Sequence, residues 1–317
     1  MRDGTHLIAL GRSKYLFDSI KYLSSRNYFF KAIITDEAYE EYGVTHTDFE
    51  QLAHDIGASF FMSKRLYTDE IVKLIRENNI RVAISANWKY TLSKDFLDLF
   101  ECGVLNFHLG NLPDYKGNAT VNWSIINGEK HINGNIHKMH PVLDAGDVVA
   151  IETIPIDSDT YIADIIKKAE STVPFLYEDA LQRVLASPDA YILKGTERGL
   201  RCYPRLPEDS QIDWNQHVED VSRLIRASAH PYKGAFSFLG GKKITIWSAR
   251  PFYSVDRFLA VPGHVVALNR EAGTVLVACK EGLLELQEIE VENGKVIPTT
   301  YIKSIRLRFK YIENVLS

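Results

Sequence analysis

Cysteine is scarce: the chain has three, at positions 102, 202 and 279, and no C-x-x-C pair. Neither a disulfide framework nor a thiolate zinc site is expected, and a reducing compartment fits. No apolar run approaches the roughly 20 residues that a membrane-spanning helix needs. The opening MRDGTHLIALGRSKYLFDSI interrupts its short apolar run with acidic and polar residues, unlike a secretory signal. A cytoplasmic location without a membrane partner is therefore expected. Positive charge is not in excess either, with 37 Lys and Arg against 41 Asp and Glu and a net charge of −4. This balance, with a pI near 6.2, argues against nucleic acid held by charge as a partner. Gly11 follows an apolar run, but Gly-Arg-Ser-Lys is no G-x-G-x-x-G, so no dinucleotide site is inferred. His131, His137 and His140 lie close in sequence; on a strand over 136–140, however, His137 and His140 face opposite ways, and no metal is expected.

What is present is enough apolar material for two cores, at 45% of 317 residues. Short apolar runs at 6–10, 30–35, 59–62 and 82–87 alternate with helical patterns near 13–25, 47–56, 68–78 and 93–100. Such alternation predicts an α/β fold with a Rossmann-like, mostly parallel sheet. A helix is expected from Tyr161 to about Leu185, with Pro174 kinking or breaking it. Beyond residue 240, strands are expected at 243–249, 263–269, 273–279 and 283–289, consistent with a small β-barrel, and Trp247 is read as core. The division expected is 1–200 for the first domain and 201–317 for a linker helix and the OB-like barrel.

The densest chemistry lies between residues 104 and 147. VLNFH reads as a buried strand, and alternation puts Asn106 and His108 on the same face. The strand leads into GNLPDYKG, a loop of turn residues, and 27 residues beyond Gly117 comes Asp144 in LDAGD.

At Asn106-Phe107-His108, Leu112-Pro113-Asp114-Tyr115-Lys116-Gly117 and Leu143-Asp144-Ala145-Gly146-Asp147 the chain resembles the folate-dependent formyltransferases. Residues 201–252, with Ile212-Asp213-Trp214, Arg223, Arg226 and Pro231-Tyr232-Lys233-Gly234-Ala235-Phe236, resemble the carboxyl-terminal part of the methionyl-tRNA and aminoarabinose branches of that family. The resemblance implies N10-formyltetrahydrofolate as formyl donor, no metal, and transfer to an amine. An amine attacking a formyl carbonyl needs a donor for the developing oxyanion and an acceptor for the amine's proton. Asn106 suits the first role, His108 the second, and Asp144 the orienting carboxylate. The loop Asn87-Trp88-Lys89-Tyr90, with Leu143 and Asp147, is expected to contact the donor. Lys116, Asn118 and Trp123 are candidates for the acceptor, with Lys116 and Lys89 suited to phosphate or the glutamate tail of folate. Asn118–Trp123 and Ala235–Phe238 look closer to the sugar-modifying branch. The acceptor expected is therefore an amino-deoxy sugar linked to UDP, dTDP or GDP, bound by a homodimer. Methionyl-tRNA formylation, hydrolysis of the donor and non-catalytic folate binding remain the alternatives.

Overall fold

The computed structural model describes residues 4–37, 42–254, 258–292 and 294–312. Its apolar runs become β1 (Thr5–Gly11), β2 (Tyr28–Thr35), β3 (Ser59–Met62), β4 (Val82–Ala86) and β5 (Val104–Leu109), alternating with α1 (Lys14–Ser24), α2 (His46–Ile56), α3 (Asp69–Glu77) and α4 (Lys94–Leu97). The strands read as unbroken apolar runs because a parallel sheet is covered on both faces. Leu7, Ile8, Ala9 and Leu10 of β1 are all fully buried. Side chains set the helix starts: Thr45 and Asp48 form a reciprocal capping box on α2, and Thr68 and Ser93 accept amides at α3 and α4.

The chain continues through β6 (Lys116–Gly117), α5 (Thr120–Ile126), β7 (His131–Lys138), β8 (Val148–Pro155), α6 (Ile162–Ala186) and β9 (Arg201–Cys202). The main sheet has the order β3-β2-β1-β4-β5-β7-β8. Its first five strands are parallel, while β7 and β8 run antiparallel. The winding reverses between β1 and β4, and open sheets of this kind bind ligands beyond the carboxyl ends of their strands at such a point. Ala86 pairs with Phe107, so Asn87 leaves β4 level with His108 on β5.

Pro174 does not break α6, which runs unbroken through it. The missing amide is outweighed by packing: Ala169, Val173, Tyr177, Ala180, Leu181 and Val184 form a buried stripe on both sides of the proline. In the turn before it, the Ser171 and Thr172 hydroxyls bond back to Lys168 and Ala169 carbonyls. Tyr177 on this helix donates its hydroxyl to Ser85 O of β4 and accepts the Phe107 amide of β5 at 3.1 Å, joining the two strands beside the candidate site.

The chain divides into two compact units. One comprises Met1–Thr120, His131–Pro155 and Ile166–Tyr203, the other Val121–Lys130, Ile156–Ile165 and Pro204–Ser317. The second contains α7 (Val218–Ser228), β10 (Ala235–Leu239), β11 (Lys242–Phe252), β12 (Val265–Asn269), β13 (Thr274–Ala278), β14 (Leu283–Val291), β15 (Gly294–Val296), α8 (Pro298–Tyr301) and β16 (Phe309–Lys310). Its antiparallel sheet, ordered β12-β13-β14-β11-β10-β16, curls into a half-barrel. Its edges meet where Val265 N donates to Leu307 O and Phe309 N to Gly263 O. Ile212, Trp214, Ile225, Ile244, Ile246 and Leu286 fill the interior. Trp247 is buried, as expected, and stacks on His230 with ring centroids 3.9 Å apart. Among the described residues no helix is long and apolar enough to cross a membrane.

Candidate active site

Two Asn-x-His triplets lie on adjacent strands of the main sheet, Asn106-Phe107-His108 on β5 and Asn135-Ile136-His137 on β7. Antiparallel pairing sets Asn106 opposite His137 and His108 opposite Asn135. Directly opposed residues share a face, so all four polar side chains stand on one side of the sheet. The first triplet is legible in the sequence, whereas His137 is weighed there only as a metal ligand and set aside. The same two-residue spacing on a neighbouring apolar stretch was the signal that could have revealed the second.

Asp144 joins them from the loop between β7 and β8, its backbone in the left-handed region at φ 50°. Its carboxylate is 7% exposed, with Oδ2 3.6 Å from His108 Nδ1 and Oδ1 3.6 Å from His137 Nε2. The Gly117 amide donates to Oδ2 at 2.8 Å. Burial alone would raise the carboxyl pKa; the two imidazoles and the Gly117 amide outweigh it and hold the group below its ordinary value. Burial pushes His137 the other way, down to about 4, and the attraction of Asp144 only partly offsets it. At neutral pH the site thus holds a carboxylate beside an uncharged His137.

His108 Nε2 lies 2.8 Å from the carbonyl oxygen of Tyr115. A carbonyl only accepts, so in this arrangement Nε2 carries a proton and Nδ1 faces Asp144. His108 can take a proton through Nε2 only once the Tyr115 carbonyl is displaced and the ring hydrogen has moved to Nδ1, facing Asp144. The loop that carries it is backbone-strained: the non-glycine residues Tyr115 and Ala119 have φ of 51° and 52°.

The same loop is strapped down by residues 194–202. Lys116 is fully buried, and its ammonium donates to Thr196 O and, at 2.8 Å, to Arg198 O. β6 pairs with β9, and Asp114 accepts the Leu200 amide at 2.9 Å. Asp147 pairs with Lys194 at 2.8 Å and accepts the Gly195 amide at 2.8 Å. Lys116 is therefore spent inside the protein, and Asp147, half-buried, is held by the segment that follows α6. Asn118 is exposed, with its backbone amide donating to Cys202 O at 3.1 Å. Trp123 belongs to the second unit, where the Arg205 guanidinium lies 5.3 Å from its ring centroid. Lys116→Met should lower stability by about 1–3 kcal/mol, since the carbonyls of Thr196 and Arg198 lose the donor that ties this segment to the loop. Urea denaturation would check this; unchanged stability with a raised KM for the acceptor would restore the ligand-contact role instead.

Of the expected donor contacts, Trp88 and Tyr90 line a cavity of about 240 Å³ with Lys64, Arg65, Leu92 and Phe96. The Trp88 indole N–H is buried and has no hydrogen-bond partner among the described residues. Tyr90 donates its hydroxyl to Asp36 at 2.6 Å. Asn87 has φ 55° and accepts from Arg12 Nε at 3.2 Å, Lys89 is exposed, and Leu143 is 47% exposed ahead of Asp144. Among the described residues no set of three or more His, Cys, Asp or Glu side chains is arranged to hold a metal ion.

Structural comparison finds the same fold in several proteins. HypX from Aquifex aeolicus, solved in complex with tetrahydrofolic acid, is 17% identical with a TM-score of 0.60 over 96% of this chain, which spans only 47% of the HypX length. An N-formyltransferase from Helicobacter canadensis, in complex with folinic acid and dTDP-3-aminofucose, is 14% identical with a TM-score of 0.63. The match covers 92% of this chain and 100% of that one. A sugar N-formyltransferase from a Shewanella species is 18% identical with a TM-score of 0.58, covering 80% of this chain and 99% of that one. Family models agree in sequence, with "Formyl transferase, C-terminal domain" matching residues 206–306 and "Formyl transferase" matching residues 10–181. With the first of these spanning the half-barrel and the second the sheet that holds Asn106, His108 and Asp144, the chain belongs to the formyl transferase family.

Proposed function

We propose that this enzyme moves a formyl group from N10-formyltetrahydrofolate to the amine of an amino-deoxy sugar linked to UDP, dTDP or GDP. The observation that carries the formyl-transfer chemistry is the convergence of Asn106, His108 and Asp144 at the carboxyl end of β5. The donor supplies an activated formyl carbon. Asn106 donates an N–H to the formyl oxygen as negative charge develops there. His108, released from the Tyr115 carbonyl and with its ring hydrogen moved to Nδ1 facing Asp144, takes at Nε2 the proton that the attacking amine loses, and returns it to the tetrahydrofolate nitrogen as the bond from that nitrogen to the formyl carbon breaks. Asp144 holds the imidazole in place and stabilises its protonated form.

The cavity beside Trp88 and Tyr90 suits such a donor. Its aromatic and apolar walls fit a flat heterocycle, the orphaned Trp88 N–H offers a donor, and Lys64 and Arg65 favour a carboxylate tail. The acceptor is supported by architecture: the match with the H. canadensis enzyme, itself bound to a dTDP-amino sugar, runs over that protein's whole length. The acidic balance of the chain favours a small acceptor over tRNA. We further place the enzyme in the cytoplasm, as a homodimer.

The test is formyl transfer from N10-formyltetrahydrofolate to a panel of UDP-, dTDP- and GDP-linked amino sugars, with methionyl-tRNA alongside, read by mass spectrometry. One formyl group replacing one amine hydrogen on a sugar nucleotide is the expected result. Formylation of methionyl-tRNA alone would move the enzyme to translation initiation, and release of formate without a modified acceptor would make it a hydrolase.

A further inference from the structure

We infer that His137 is a positioning residue: its Nε2 lone pair accepts the Asn106 amide and so fixes which end of that amide serves as hydrogen-bond donor. The inference rests on the role proposed above for Asn106, and the geometry leaves little freedom in it. His137 Nδ1 lies 3.0 Å from the carbonyl oxygen of Lys138, which can only accept, so Nδ1 bears the hydrogen. A neutral imidazole has one N–H. Nε2 therefore holds a lone pair, and the Asn106 side-chain nitrogen lies 3.1 Å from it.

An acceptor at that place requires the NH₂ end of the amide, because an amide oxygen would set lone pair against lone pair. With one N–H given to His137, Asn106 keeps its second N–H for a formyl oxygen. An asparagine free to flip would spend part of its time presenting an oxygen where negative charge has to develop.

Two rival roles for His137 fail on the same geometry. As a general base it would need an accessible lone pair, but the ring is 1% exposed and Nε2 is already occupied by Asn106. As an ion-pair partner of Asp144, 3.6 Å away, it would need a second proton on Nε2, which would evict the Asn106 donor. Burial of the ring opposes that charge. Asn135, the other half of the second triplet, has no hydrogen bond to Asn106 or Asp144 among the described residues. Its amide nitrogen is committed to the carbonyls of His108, Gly110 and Asn133.

The decisive measurement is long-range ¹H–¹⁵N correlation on the full-length protein labelled in its histidine rings. At neutral pH His137 should show the Nδ1–H tautomer, with an Nε2 signal that moves in Asn106→Ala. A ring protonated at Nε2, singly or doubly, would overturn the inference. Kinetics supply the second arm. His137→Leu should lower kcat roughly 10- to 100-fold, with KM for both substrates within about twofold, and the loss should not add to that of Asn106→Ala. His137→Gln, whose amide oxygen can accept the same hydrogen bond, should recover most of that kcat. Additive losses, or a glutamine variant as slow as the leucine one, would reduce His137 to packing. If His137→Leu does not fold, the tautomer and the glutamine variant decide. Absence of formyl transfer to every acceptor tested would remove the proposed function, whereas the tautomer measurement would still judge the His137–Asn106 bond by itself.

Discussion

His108→Ala is expected to lower kcat for formyl transfer roughly 10²- to 10⁴-fold while leaving a folded protein, the range that loss of a positioned acid-base group produces. The buried ring gives up its Nε2 hydrogen bond to the Tyr115 carbonyl in this variant, a loss small against the whole sheet. Asp144→Ala should fall in the same range by a different route. Removing the carboxylate leaves His108 Nδ1 without its facing anion, so an imidazolium formed in the reaction is no longer stabilised, and the Gly117 amide loses its acceptor. The two effects should be strongly non-additive, because both act through one imidazole. Purified variants with folding checked by circular dichroism, assayed singly and together, decide this. Near-parental turnover in either single variant would remove the assigned mechanism.

Acid should destabilise the fold through His137. Its pKa falls from an ordinary 6.5 to about 4 in the folded protein. Between those two values the unfolded chain takes up a proton that the folded protein refuses. Stability from this group is therefore complete above about pH 6.5 and is lost progressively as the pH falls towards 4, on the order of 3 kcal/mol across the window. Asp144 acts in the same direction at lower pH, since its carboxyl is held below the ordinary value of 3.8 and resists protonation when folded. Urea denaturation at pH 7.5, 5.5 and 4.5 should show a falling midpoint for the parent. His137→Gln, with no titrating ring, should show a visibly flatter dependence. Parallel curves for the two proteins would mean that His137 is charged or solvated in the folded state.

Much of the framework was legible in the chain. Apolar runs of four to eight residues separated by helical patterns could bury their surface only as a covered parallel sheet, and β1 to β4 lie within a residue or two of the runs at 6–10, 30–35, 59–62 and 82–87. The common face of Asn106 and His108 followed from strand alternation alone. Misjudged positions share a cause. Pro174 was judged by its own backbone chemistry, whereas the buried stripe of α6 carries the helix through it. Lys116, a candidate for phosphate or the glutamate tail of folate, has its ammonium drawn instead to carbonyls 80 and 82 positions downstream. His137 is set against His140 in sequence, but β7 ends at Lys138 and the partner of His137 is Asn106 across the ladder.

Period-two and period-3.6 patterning, helix caps and the order of the polar triplets are local properties. Side chains within a few residues of one another set them, so residue order was enough to specify the α/β sheet, the later run of short strands, and Asn106 with His108 at a strand end. Which polar groups meet across strands and loops depends on register and on the path of the chain, and those were decided by burying the greatest apolar area while leaving few polar groups unpaired. Pairing β5 against β7 turned two separate Asn-x-His triplets into one polar face, and the left-handed turn at Asp144 set a carboxylate between its two imidazoles. Threading residues 194–202 past the loop at 111–118 withdrew Lys116 into the interior, and only the folded chain could make that choice.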